Sequence, residues 1–306
     1  MTDATVRALI LALDDALAPV FRWSGAIARR LRSFDISLEH KQSGNAAADA
    51  LTITDLTVQE LIIAALRDGD PILRTLVIRG EEAVGDLAPF ASAGEYTLAI
   101  DPIDGTKQYR DRKGSGYSII VTLQSRANVE YSLLSIPEEG EHGSWLRIDR
   151  AGVRVGADDP RVSARARLSA LPPVDASSLP PTERFFVNGF QGRRRACIAR
   201  ARELGLEGVR SEELEGCIFS LLAAGAYGGV LASNPNIYDF PVSIHLARAL
   251  GGDAIWVESG EPVHFGATRY DEGTKMFRLS GIVAASRDRA LLERLRVLGL
   301  EMSRAS

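Results

Sequence analysis

Six consecutive residues, Asp101-Pro102-Ile103-Asp104-Gly105-Thr106, carry the densest chemistry in this chain. The proline holds the backbone extended between the two acids, and Gly105 permits a tight turn before Thr106, so both carboxylates can be aimed at one point. Upstream, Gly80-Glu81-Glu82 closes a strand-like run, and downstream Asp239 stands just ahead of a helical pattern. If these acids converge on Asp101 and Asp104, several negative charges share one place. That is strongly unfavourable unless carboxylates take up protons or a cation neutralises them. Oxygen donors suit Mg²⁺ or Mn²⁺, whereas zinc would recruit His or Cys, and the four histidines, His40, His142, His245 and His264, show no ligand spacing. Two hard cations can bracket a phosphate, one lowering the pKa of an attacking water and the other steadying the leaving oxygen, as in-line phosphoester hydrolysis requires. The amide N–H groups of Gly105 and Thr106, if they open a helix, would hold phosphate oxygens.

Other readings of these residues stand beside that one. An acidic turn in which Asp104 or Thr106 merely caps a helix explains any single Asp-Gly-Thr. The coincidence with Gly-Glu-Glu upstream and an Asp downstream weighs against it. A phosphoaspartyl mechanism places two Asp residues two apart after a strand; here they are three apart around a proline, which disfavours a covalent Asp nucleophile. Asp239, two residues before Pro241, reads equally as a helix N-cap. Gly225-Ala226-Tyr227-Gly228-Gly229 follows a helix pattern instead of a strand, so it reads as a helix end and turn and lacks dinucleotide-binding geometry. The basic run Arg193, Arg194 and Arg195, with Arg200 and Arg202, falls on one helix and reads either as a solvated face or as a place for a second phosphate.

Several elements must position these groups. Val6, Leu9, Ile10 and Leu13 sit at helical spacing within residues 2–32, and Asp14 and Asp15 break the apolar run far short of a membrane span. A polar stretch, 39–50, follows. Thr57-Val58-Gln59-Glu60 has the form of a capping box opening a helix that runs to about Arg67, which puts Asp55 just ahead of that helix. Residues 76–79 read as a strand ending at Gly80-Glu81-Glu82, and 96–100 as another ending at Asp101. Runs at 117–123, 129–136, 145–148 and 153–155 succeed one another without helices, as in an antiparallel sheet. The Pro- and Ser-containing stretch 169–181 is the candidate boundary. Beyond it strand and helix patterns alternate: 185–188, 193–204, 213–224, 229–232, 241–250 and 254–257. The expected organisation is an α+β domain over 1–170, with an antiparallel sheet and the metal-binding loops, and an α/β domain over 171–306 that completes the site.

Bulk properties narrow the partners. A chain of 306 residues can bury a large core and sits near the size at which one core gives way to two. Lys plus Arg number 36 against 40 Asp plus Glu, so a net charge of -4 offers no general attraction for a nucleic acid polymer or an anionic membrane. The only two cysteines, Cys197 and Cys217, lie in helical patterns without disulfide or zinc spacing, and read as packed thiols in a reducing cytoplasm. The N-terminus lacks the basic start and small-residue cleavage site of a secretion signal, in keeping with a cytoplasmic protein.

Taken in order, Gly80-Glu81-Glu82, the hexapeptide at 101–106, and Asn236-Ile237-Tyr238-Asp239 with a helix ending at Gly251-Gly252 resemble the inositol monophosphatase family, which includes the 3'(2'),5'-bisphosphate nucleotidases. The resemblance runs from Asp55 to Gly252 and is most specific in the hexapeptide. It implies a layered αβαβα sandwich and Mg²⁺ dependence, with two or three ions bound and Mn²⁺ as an alternative. It also implies lithium sensitivity and, often, a homodimer. Carried over residue by residue, it makes Glu81, Asp101, the Ile103 carbonyl, Asp104 and Asp239 the metal ligands. Thr106 and Asp55 become the pair that orients and helps deprotonate the metal-bound water, with Glu82 in support, and Gly105 and Thr106 bind phosphate through their amides, with Lys107 beside them.

Departures from the family pattern fall mostly on the substrate side. Tyr238 stands where a Trp is usual, and Phe240-Pro241-Val242 where small residues are usual. Ala232, seven residues before Asp239, occupies the place where inositol phosphatases put an acid on the substrate hydroxyls. Glu213-Leu214-Glu215-Gly216 replaces the usual Gly-Ser or Gly-Thr. Lys107 and Asn236-Ile237 resemble the nucleotidase branch more than the inositol branch. The implied activity is hydrolysis of a small phosphorylated metabolite: an inositol, polyol or sugar phosphate, or 3'-phosphoadenosine 5'-phosphate. The alternative is a catalytically inactive relative serving as a metabolite-binding or interaction protein, and retention of every metal-ligand residue speaks against it.

Overall fold

The computed structural model describes residues 3–34 and 52–304; the polar stretch 39–50, with His40, lies outside them. In chain order the elements are α1 (Asp3–Leu31), α2 (Ile53–Asp68), β1 (Val77–Gly80), β2 (Thr97–Asp104), α3 (Thr106–Arg110), β3 (Ser118–Gln124), β4 (Val129–Ile136), β5 (Ser144–Asp149) and β6 (Gly152–Ala157). There follow α4 (Ala164–Ser169), β7 (Arg184–Asn188), α5 (Arg194–Glu203), β8 (Glu207–Val209), α6 (Ile218–Ala223), β9 (Gly229–Ser233), α7 (Phe240–Ala249) and β10 (Asp253–Trp256). A hairpin of β11 (Thr268–Asp271) and β12 (Met276–Leu279), then β13 (Ile282–Ser286) and α8 (Arg289–Arg304), complete the described chain.

Strands β1 to β6 form one sheet in sequence order, parallel between β1 and β2 and antiparallel thereafter. The second sheet runs β10-β13-β9-β7-β8, with β7, β8 and β9 mutually parallel and β13 antiparallel to both of its neighbours, β9 and β10. Helices α1 and α2 cover one face of the first sheet, where Leu9, Leu13, Phe21, Ile62 and Leu66 pack on Leu98, Ile100, Val121 and Leu133. On its other face Ala99, Ile120 and Leu134 meet α6 and α7 through Phe219, Leu222 and Leu246, and these in turn meet Val230, Ala232 and Val283 of the second sheet. Cys197, Leu295 and Leu298 on α5 and α8 close the far side against Phe185, Val187 and Leu231. The result is the αβαβα layering that the resemblance implied. Because both faces of the first sheet are covered, β3 is buried along its whole length, and its sequence SIIVTLQ lacks the polar-apolar alternation of a half-exposed strand.

Three local expectations need correction. Helix α2 starts at Ile53, four residues ahead of the Thr57 box, because Thr52 and Asp55 already supply a cap: the Thr52 N–H donates to Asp55 Oδ2 at 2.8 Å. Thr57 is inside the helix, its hydroxyl donating back to the Ile53 carbonyl at 2.8 Å. Strand β2 does not stop at Asp101 but continues through Pro102 to Asp104, with its register against β3 slipping between the two acids. The helix expected over 213–224 is shortened to Ile218–Ala223, because Glu213 folds back on Arg210, taking its backbone N–H at 3.1 Å and its guanidinium at 2.6 Å.

The first sheet and the middle layer are also tied by backbone alone. A Cβ on Gly116 would lie 2.3 Å from the Gly216 carbonyl oxygen, so the turn into β3 and the lead into α6 touch main chain to main chain. Gly116→Ala is expected to cost about 1–3 kcal/mol, read in urea denaturation as a lower midpoint at unchanged slope. An unaltered midpoint would mean that the two loops separate freely.

Candidate active site

Period-two alternation along β2 decides where its acids point. Leu98 and Ile100 face the α1–α2 layer, while Ala99 faces the middle layer, and Asp101 is on the same side as Ala99. The register slip at Pro102 resets the alternation, Ile103 returns to the α1–α2 core, and Gly105 with φ +83° turns the chain into the single turn of α3. Beside it, the Glu81 N–H donates to the Ile100 carbonyl at 3.0 Å, prolonging the parallel β1–β2 pairing by one residue and setting Glu81 next to Asp101. Asp239 enters from the middle layer as the N-cap of α7, accepting the Phe240 N–H at 2.6 Å. Asn236 fixes its approach by accepting the N–H groups of Tyr238 at 2.7 Å and Asp239 at 3.1 Å.

The five metal ligands carried over from the resemblance, Glu81, Asp101, Ile103, Asp104 and Asp239, are thus drawn from two loops and one strand to a common region. Asp101 is 3% exposed, and its carboxyl is held well above the usual range by burial first, then by Glu81, Asp104 and Asp239. It shares a hydrogen bond with the Glu81 side chain, which two carboxylates can do only around a proton, yet its Oδ1 has no partner at all. Asp104 is pushed up to about 8 by burial and by Asp239, against the Ser118 hydroxyl at 3.3 Å and the Gly105 N–H, both of which favour its charged form. Asp239 is raised by burial, opposed by the Phe240 N–H and by Arg278 nearby.

Among the described residues no three His, Cys, Asp or Glu side chains are gathered tightly enough to grip an ion as they stand. The acids lie within electrostatic reach without closing on one point, as expected of carboxylates that repel and share protons. The donor set nevertheless fits a hard dication: it is all oxygen, it lies in a water-poor place, and it includes an orphaned buried carboxylate oxygen.

A second group adjoins the first. Asp55, buried in the first turn of α2, is raised to about 6 by burial, with the Glu82 charge adding and bonds from Thr52 and Thr106 opposing. The Thr106 hydroxyl lies 3.2 Å from Asp55 Oδ1 and 2.7 Å from the Ile103 carbonyl, two acceptors for one proton. Tyr109 anchors this turn, its hydroxyl lying 3.0 Å from Thr54 Oγ1 and donating to the Ala28 carbonyl at 2.6 Å. Glu82 is buried, and Lys107 is half-buried in the first turn of α3. The Gly105 N–H lies near enough to the Asp104 carboxylate to favour its charged form.

Sequence reading missed several supporting residues. Ser118 stands across the β2–β3 ladder from Asp104, Gln59 holds the Glu82 backbone, and Arg278 reaches toward Asp239 from the β11–β12 hairpin. The Thr52-x-x-Asp55 spacing was a usable signal; Arg278, distant in sequence, offered none. The arginine run lies elsewhere, on α5. Arg200 pairs with Glu203 and Glu301 and Arg194 with Glu212, while Arg193 donates to the Met302 carbonyl at 2.9 Å. Cys197 and Cys217 are both buried thiols, and burial with the Asp104 charge pushes Cys217 up to about 12.

Comparison with known proteins now gives a consistent answer. The model of the inositol monophosphatase family matches residues 15–295. The chain is 26% identical over 251 residues to inositol monophosphatase 2 of Homo sapiens, covering 80% of each. Among solved structures it is similar to the Thermotoga maritima IMPase (TM-score 0.66, 16% identity, 95% of this chain and 98% of that one). It is also similar to CysQ from Bacteroides thetaiotaomicron (TM-score 0.64, 15% identity, 90% and 97%) and to an IMPase/NADP phosphatase complexed with Mg²⁺ and phosphate (TM-score 0.62, 13% identity, 90% and 89%).

The raised carboxyls set a pH dependence. An acid whose folded pKa exceeds its unfolded value stabilises the fold fully only below the unfolded value, and that share is lost as pH climbs through the folded one. With Asp55 at about 6 and Asp104 at about 8, the loss spans the interval from near 4 up to about 8. Metal-free protein is therefore expected to melt lower at pH 8 than at pH 5 by roughly 5 °C, and added Mg²⁺ to restore more at pH 8 than at pH 5. A melting temperature that rises over this interval without metal would contradict the charge arrangement.

Proposed function

The chain belongs to the inositol monophosphatase family, and on that premise we propose that it is a phosphomonoesterase of small phosphorylated metabolites, dependent on Mg²⁺, with Mn²⁺ as a substitute. The observation that carries the proposal is Asp101: a buried carboxyl with an unpartnered oxygen, crowded by Glu81, Asp104 and Asp239. Those four side chains and the Ile103 carbonyl are the proposed ligands. The carbonyl already accepts from Thr106 and has a second lone pair to give. Bound dications would supply Lewis-acid polarisation of the phosphoryl group and a more acidic attacking water. Every other part of the chemistry falls to the chain. Asp55, with its carboxyl near neutrality, accepts a proton relayed through the Thr106 hydroxyl 3.2 Å away. Glu82 lies next to Asp55, and its carboxylate favours proton uptake there. The Thr106 amide and Lys107 are proposed to face the phosphate. The Gly105 amide is proposed to face it as well.

The substrate side supports a narrower statement. Ala232 is fully buried on β9 of the second sheet, so the contact that an acid at that position makes with sugar hydroxyls has no counterpart here. A nucleotide 3'-phosphate and a polyol or sugar phosphate both remain within the proposed class. The division into domains 1–170 and 171–306 fits a site whose acids come from both halves. No helix among the described residues is long and apolar enough to cross a membrane, and a cytoplasmic homodimer sensitive to lithium is the arrangement expected on family grounds.

Phosphate release should be measured from a panel of 3'-phosphoadenosine 5'-phosphate, inositol 1-phosphate, fructose 1,6-bisphosphate and histidinol phosphate, with and without Mg²⁺ and Li⁺. At least one should be hydrolysed only with Mg²⁺. Asp104→Asn, which removes charge at constant shape, should lower kcat on the order of a thousandfold and leave the circular dichroism spectrum intact. Near-normal turnover by that variant would refute the site.

A further inference from the structure

Strand β1 is the edge of its sheet, and its chain leaves the sheet at Gly80, immediately before the two glutamates. Past that point the Glu81 N–H still donates to the Ile100 carbonyl at 3.0 Å, and among the described residues no strand lies on the outer side. The outer side is covered by α2, and one side chain of that helix does what a strand would do. The Gln59 amide accepts the Glu82 N–H at 3.0 Å and donates to the Glu82 carbonyl at 2.5 Å and the Val84 carbonyl at 3.1 Å. It thus meets both backbone polar groups of Glu82, as a paired strand residue would. The amide is fully buried and lies directly over Gly80: a Cβ there would come within 2.6 Å of it. Gln59 also follows Asp55 by one helical turn on the buried side of α2. One rigid helix therefore presents Asp55 to Thr106 and grips the turn carrying Glu81 and Glu82.

We infer that Gln59 is a positioning residue. By pairing with the Glu82 backbone over Gly80, it fixes the Glu81 carboxylate against Asp101 and fixes Glu82 against Asp55. The inference rests on the proposed reading of Glu81 as a cation ligand. With the N–H groups of Glu81 and Glu82 held from opposite sides, the Cα between them has little freedom. The ligand is then in place before a cation arrives, and binding does not have to order the turn. Gly80 is part of the same device, since any side chain there displaces the amide.

The test uses the full chain, with Mn²⁺ binding followed by electron paramagnetic resonance alongside steady-state kinetics in Mg²⁺. Gln59→Met keeps length and removes all three hydrogen bonds; Gly80→Ala keeps Gln59 and pushes its amide aside. Each should weaken Mn²⁺ binding about tenfold and raise the half-saturating Mg²⁺ concentration by a similar factor, with KM for the substrate unchanged at saturating Mg²⁺. Adding Gly80→Ala to Gln59→Ala should cost nothing further, because the collision partner is gone. Should Gln59→Met fail to fold, Gly80→Ala and the double variant carry the test. Unaltered Mn²⁺ affinity in the single variants, or additive losses in the double variant, would overturn the positioning role. If the unaltered chain binds no Mn²⁺, the metal reading itself falls, and the positioning role with it.

Discussion

Crowded negative charge in a place with little water governs this molecule. Asp101 cannot ionise comfortably beside Glu81, Asp104 and Asp239 while burial denies it solvent. Two neutralisations are open to such a group, protons or cations. Burial and its acidic neighbours make Asp101 take up a proton readily, and the all-oxygen donor set also suits a hard cation.

The layers contribute differently. The six-stranded sheet supplies Asp101 and Asp104 on one strand, and a slipped register at Pro102 lets both serve one region. The middle helix α7 brings Asp239, whose position is set by Asn236 and steadied by the hairpin beyond it: the Phe277 carbonyl accepts the Ile237 N–H at 3.1 Å, and Leu279 donates to the Pro235 carbonyl at 2.9 Å. The same hairpin touches the Glu81 strand, since the Arg79 guanidinium lies 4.5 Å above the Phe277 ring. The acids from the two halves of the chain are thus linked through packing as well as through charge.

Much of this was legible in the residues. The hexapeptide announced itself because Asp, Pro, Asp, Gly and Thr have separate and compatible reasons to occur in that order, and the strands at 129–136 and 229–232 followed from apolar runs bounded by turns. Errors arose where local signals competed. Thr57-x-x-Glu60 and Thr52-x-x-Asp55 both satisfy a capping pattern, and only tertiary packing of Asp55 against Thr106 selects the earlier one. The apolar run of β2 ends at Asp101, but the register slip around Pro102 absorbs its missing donor and the strand runs on. The β11–β12 hairpin, β13 and α8 went unread, and with them Arg278. Gln59 looked like one more polar helix residue, because its partners lie more than twenty positions away.

The central claim is that dications replace protons among these acids, and proton release tests it most directly. Mg²⁺ is added to metal-free protein in unbuffered solution at pH 7, and the base needed to hold the pH is recorded together with the Mg²⁺ bound. The account predicts release of about one proton or more per chain on saturation, reduced in Asp104→Asn. Saturation without proton release would contradict it, as would failure to bind Mg²⁺ at all.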